Sequence, residues 1–225
     1  MCQVGAIAAL TLLVYSIITI VVLTLLGTPP GTAQECFDLL RSHSFATLLR
    51  LDLLTIVVMP AFFFFYAGLF SAMHQSNRPL TSLSTALAFV GVTLILATPS
   101  VLTLVHLSQQ YAAATTDARR TLLLAAGEAA ISGDTWHGTG AMMGGALLQL
   151  AGVLISVAMV KTRVFSGLTG YLGIVTHGLD LAHILMGLFV PTAGVVLMAI
   201  AGPLYLVWFP LVGRRLHQLG RTRVT

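Results

Sequence analysis

The sequence predicts an all-α membrane protein, a bundle of about six transmembrane helices forming a single domain over residues 1–225, with an amphipathic helix on the outer face. Three observations predict it. Hydrophobic residues make up 57% of the 225 and charged residues only 8%, where soluble domains carry about a quarter charged. Mean hydropathy is +0.95. The apolar residues also fall in runs of roughly 20 or more, enough to cross about 30 Å of hydrocarbon. Six such runs use about 130 residues, which leaves no room for a soluble domain.

The runs are Val4 to Leu26, Phe45 to Met73, Thr81 to Leu107, Trp136 to Val160, Ser166 to Phe189 and Val190 to Gly213. The first has no Lys or Arg before it and exceeds the roughly 7 to 15 apolar residues of a cleaved signal, so it reads as a retained helix. Pro60, Pro99, Pro203 and Pro210 fall inside runs and predict kinks, because proline lacks the N–H that a helix needs. The fourth run carries Gly138, Gly140, Gly144 and Gly145, and its Gly140–Gly144 step offers a surface for close helix–helix contact. Phe62 to Phe65 circle a helix and read as lipid-facing and core packing, while Tyr111, Trp136 and Trp208 sit where interfacial anchors belong.

The one long connection, Ser108 to Gly133, is itself patterned. Thr116 can cap a helix that has Asp117 in its first turn, Leu123, Leu124, Ala130 and Ile131 on one side, and Gly133 at its stop. That describes either an amphipathic helix on the outer membrane face or a plain helical connector.

Charge sets the orientation. With the N-terminus inside, Arg78, Lys161, Arg163, Arg214, Arg215, Arg221 and Arg223 are all cytoplasmic. Arg41, Arg119 and Arg120 fall outside, beside Glu35, Asp38, Asp117, Glu128 and Asp134. Both termini are therefore expected on the cytoplasmic side of the membrane, with an even number of spans. The net charge of +4 is spent on orientation rather than on nucleic acid, and the expected partner is membrane lipid, including anionic lipid at the basic tail. Cys2 and Cys36 lie at opposite ends of the first run, cannot bridge within one chain and are read as inert.

Ionisable residues inside spans mark candidate sites, since each costs about 2.5 to 3.5 kcal/mol to insert and so needs a partner. The candidates are Arg50 and Asp52 in the second run and His177, Asp180 and His183 in the fifth. At about 1.5 Å per residue, Arg50, Asp52, Asp180 and His183 share a layer roughly 7 to 14 Å below the outer surface, with His177 roughly 18 Å deep. An ion pair between Arg50 and Asp180 is expected. It serves either as a structural bridge that sets helix register or as part of a polar pocket, open outward, in which Asp180 or His183 takes up a proton or a polar head group.

A metal site is the weaker alternative. Asp180-x-x-His183 resembles half of a di-metal bundle motif and Asp134-x-x-His137 offers a second copy. The two differ in depth by about 10 Å, and a capping role explains Asp134 without metal. No nucleophile elbow, phosphate loop, dinucleotide fingerprint or zinc helix is present, and no cofactor is expected.

The string LxxQYAAATTDARRTLLLAAGEAA from Leu107 and the ending GPLYLVWFPLVGRRLHQLGR from Gly202 resemble a bacterial multi-pass membrane family, domain of unknown function 4386. The resemblance covers Phe45 to Arg221 and implies a plasma-membrane protein of about six spans, with no assigned activity and no site residues to carry over. Two functional readings follow. One is a non-enzymatic structural, accessory or sensing component. The other is a small transporter or membrane enzyme with an outward-facing pocket around Arg50, Asp52, Asp180 and His183.

Overall fold

The computed structural model describes residues 1–51, 53–98, 101–133 and 138–222. Helix accounts for 87% of the structure, with no strand among the described residues. The helices are α1 (Cys2–Leu26), α2 (Ala33–Ser42), α3 (Ser44–Arg50), α4 (Leu53–Val58), α5 (Ala61–Met73), α6 (Arg78–Leu96), α7 (Val101–Ala113), α8 (Asp117–Ser132), α9 (Thr139–Thr162), α10 (Gly167–Gly187) and α11 (Pro191–Thr222). Among the described residues, four stretches are long and apolar enough to cross a membrane: Cys2–Leu26, Arg78–Ala113, Thr139–Thr162 and Pro191–Thr222. The protein is membrane-embedded. The 21-residue α10 is not among the four, because His177, Asp180 and His183 dilute its apolar character.

The second expected span is not one helix. Phe45 to Met73 divides among α3, α4 and α5. Pro60 explains the second break: it has no N–H to give and its ring crowds the preceding turn, so α4 stops at Val58 and Pro60 caps α5 instead. The longest apolar helix there is α5, at 13 residues. At the other end of the chain, α11 runs 32 residues straight through Pro203, Pro210 and the basic tail, well past the expected stop at Gly213.

The chain forms two compact units. The first comprises Met1–Ile18, Val58–Thr93 and Met143–Thr225. Leu12, Phe65, Tyr66, Leu69, Met73, Ile155, Met159, Trp208 and Leu216 are fully buried in it. Aromatic edges meet aromatic faces through this core, as in Phe65 against Trp208 and against Phe209. Small residues let the backbones close: a Cβ on Gly91 of α6 would lie 2.6 Å from the Gly144 carbonyl oxygen of α9. The end of α11 lies beside the start of α1, since a Cβ on Gly220 would fall 2.6 Å from Gln3 Cγ. Further along, one on Gly213 would fall 3.2 Å from Ala9 Cβ, so the two helices run antiparallel.

The second unit comprises Thr19–Val57 and Leu94–Met142. Ala33, Cys36, Phe37, Leu40, Leu51, Val101, Leu104 and Ile131 form its core. The expected connector helix is present as α8. Thr116 Oγ1 accepts from Arg119 N at 3.3 Å, Gly133 caps the end, and Leu123 and Ile131 face inward. The additional helix α2 begins with a Thr32-x-x-Glu35 capping pattern in which Thr32 Oγ1 accepts from Glu35 N at 3.2 Å. Glu128 of α8 accepts from Ala33 N at 2.8 Å and supplies a second acceptor at that positive helix end.

A buried polar quartet as the candidate functional site

Three helices of the first unit supply four polar side chains to one place. Gln149 comes from the middle of α9, His177 and Asp180 from successive turns of α10, and Tyr205 from α11. Residues three apart on a helix lie on the same face, so His177 and Asp180 both face α9 and α11. Gln149 Nε2 donates to Asp180 Oδ2 at 2.7 Å, and Tyr205 donates to the same oxygen at 2.9 Å. Gln149 Oε1 lies 2.7 Å from His177 Nδ1 and 2.9 Å from the Tyr205 hydroxyl, which is itself 3.3 Å from His177 Nδ1.

Packing holds the imidazole rigidly. A Cβ on Gly152 would fall 2.3 Å from the His177 ring, so only glycine leaves room for it. The Trp208 ring stands edge-to-face to it with centroids 4.6 Å apart, and the Tyr205 ring does likewise at 5.3 Å. His177 is 3% exposed, whereas Gln149, Asp180 and Tyr205 are each partly exposed. Two buried polar atoms here have no hydrogen-bond partner, His177 Nε2 and Trp208 Nε1.

Arg50, expected to pair with Asp180, is held in the structure by other groups. Arg50 belongs to the second unit, where Nε and Nη2 both donate to the Thr28 carbonyl oxygen at 3.0 and 2.7 Å. Its carboxylate neighbour is Glu35 at 3.8 Å. A depth for Arg50 counted along Phe45 to Met73 presumes one helix, but α3 ends at Arg50 itself. Asp52 lies outside the described residues, as do Asp134, Trp136 and His137.

His183 does not join the quartet through a hydrogen bond; its Nδ1 lies 2.9 Å from the Gly194 carbonyl oxygen at the start of α11. The weaker metal alternative at Asp180 and His183 thus meets a carboxylate oxygen already holding two donors and an imidazole turned to a backbone carbonyl. Among the described residues no group of three His, Cys, Asp or Glu side chains is placed to hold a metal ion.

Gln149 and Tyr205 escaped a sequence reading that searched spans for ionisable groups. The available signal was Gln149, the only amide side chain of α9, set among Leu148, Leu150 and Ala151. An isolated amide in an apolar helix needs a partner for the same reason as a charge.

Compared with family models, with curated proteins and with solved structures, the chain matches none.

Proposed function

We propose that this is a bacterial plasma-membrane protein of six spans with both termini cytoplasmic, acting without catalysis as a structural, accessory or sensing component. In this reading the quartet clamps α9, α10 and α11 in one register. The observation that carries it is that Asp180 receives both its donors from other helices, Gln149 on α9 and Tyr205 on α11. Polar contacts of this kind bind membrane helices together because lipid offers no competing partner. The resemblance to domain of unknown function 4386 bears only on the bacterial plasma membrane and the count of about six spans. The six spans are α1, the α3–α5 segment, α6 with α7, α9, α10 and α11. The neighbouring placement of Gln3 and Gly220 supports an even number of crossings.

Topology and clamp are tested separately. In a background lacking Cys2 and Cys36, a membrane-impermeant maleimide applied to intact cells should label Arg119→Cys and spare Gln3→Cys and Gln218→Cys. Labelling of Gln218→Cys from outside would overturn the orientation. Asp180→Ala strands the Gln149 amide and the Tyr205 hydroxyl, and should lower stability by about 2 kcal/mol, read as the unfolding midpoint in detergent. An unchanged midpoint would remove the clamp.

A further inference from the structure

The hydrogens of the quartet can be counted. With Asp180 ionised, Gln149 Nε2–H and Tyr205 O–H both go to Oδ2, and Gln149 Oε1 must be met by a hydrogen on His177 Nδ1. His177 Nε2 is then a bare lone pair, buried and without a partner. The carboxylate is at the same time a charge whose bonded partners are both neutral. The ion pairs among the described residues are Arg50 with Glu35 and Arg120 with Asp117. The quartet is short of one positive charge at one end and one hydrogen at the other.

We propose that the quartet is a binding site for one exchangeable proton, shared between Asp180 and His177 through the Gln149 amide. Hydronium from bulk water delivers the proton and leaves as water. Bound at His177 Nε2, it makes an imidazolium whose Nδ1–H remains on Gln149 Oε1, while Gln149 Nε2–H remains on the carboxylate, so the pair is neutral and no heavy atom moves. The same proton count has a second arrangement. Asp180 carries the hydrogen as O–H and donates it to Gln149 Oε1, the amide having reversed, and Gln149 Nε2–H donates to a bare His177 Nδ1. His177 then keeps its hydrogen on Nε2. The amide is the switch between the two, since it has a donor and an acceptor at the same radius.

A proton suits this site because it needs no cavity around Gly152, where even a methyl group has no room. Asp180, Gln149 and Tyr205 are the partly exposed members of the quartet, and His177 is the buried one. The titratable groups facing the site are few. They are Tyr205 from α11, with Tyr66 of α5 behind it, and His183 on α10 itself; α9 contributes only the neutral Gln149.

The inference rests on the quartet being the polar junction of the three helices, but its test reads something that a clamp alone does not move. Trp208 touches the His177 ring, and an imidazolium quenches indole emission. In the full chain carrying Trp136→Phe, reconstituted in nanodiscs, Trp208 emission should change in a single step between about pH 4 and about pH 9. The step should be lost in His177→Asn. Infrared difference spectra over the same range should show a carboxyl band that Asp180→Asn removes. Emission and carboxyl band both flat with pH would overturn the proposal, as would a step that persists in both His177→Asn and Asp180→Asn. If either variant fails to fold, Gln149→Leu serves in its place: it removes the bridge and should separate the emission step from the carboxyl band. Coincident midpoints in Gln149→Leu would overturn the shared proton. The unfolding midpoint of Asp180→Ala judges the clamp independently of all these readings.

Discussion

The two units keep ionisable side chains by opposite means. In the second, Arg50 is held by a backbone carbonyl and a carboxylate, and its partner Glu35 is 49% exposed. Water and ions reach that contact, so it is weak and replaceable. In the first, Asp180 is held by neutral donors alone, from helices that must both be in place. A carboxylate in an apolar bundle can thus be satisfied by dipoles that are already needed for packing, whereas a guanidinium near the surface is satisfied by whatever oxygen is close. The first arrangement demands exact helix placement and the second tolerates movement.

The largest effect is expected where that demand is sharpest. Gly152→Val drives methyl groups into the space of the His177 ring and should destabilise by about 3 kcal/mol, as overpacking does. Gly178→Ala, on α10 but facing open space, is the control and should keep or slightly raise the unfolding midpoint. Equal midpoints for the two variants would show that the first unit does not demand exact placement around His177.

Next comes a pH effect in the second unit. Burial, assisted by the Glu35 charge and opposed by Arg50, pushes the Cys36 thiol up to about 11. The thiolate is the nucleophile, so alkylation of Cys36 by iodoacetamide at pH 8 should run about a hundredfold slower than for an ordinary thiol, and should accelerate only as pH approaches that value. Arg50→Ala removes the opposing charge and should slow it further. Rapid labelling at neutral pH would mean that the second unit opens readily.

The smallest effect is expected at the α2 cap. Glu128→Ala withdraws one acceptor from Ala33 N while Thr32 and Glu35 remain. The loss should be about 1 kcal/mol, visible as faster amide exchange in the first turn of α2. A loss as large as that of Gly152→Val would show the second unit to be no more tolerant than the first.

Local chemistry was the legible part of this sequence. The α8 helix follows from Thr116, Asp117 and Gly133 because a cap is made by residues within one turn. The same logic was available at Thr32 and Glu35 for α2, in a stretch too short and polar to draw attention beside the spans. Asp180 and His177 announced themselves by charge. Their partners did not, because Gln149 and Tyr205 are neutral and lie far along the chain, and only the packing of α9 and α11 against α10 brings them in. The depth of Arg50 was not legible, because depth along a helix has meaning only while the helix continues, and α3 stops there.

The unbroken length of α11 has a mechanical meaning. At 32 residues it is roughly 48 Å long, so its basic end forms an arm of up to about 20 Å beyond the roughly 30 Å that a span needs. Arg214, Arg215 and Arg221 ride on that arm. Arg215 Nε donates to the Val164 carbonyl oxygen at 2.7 Å and so ties the arm to the turn joining α9 and α10. A pull or twist applied near Leu219 is therefore delivered at two points at once, along the axis that carries Tyr205 and at the hinge between the helices of Gln149 and Asp180.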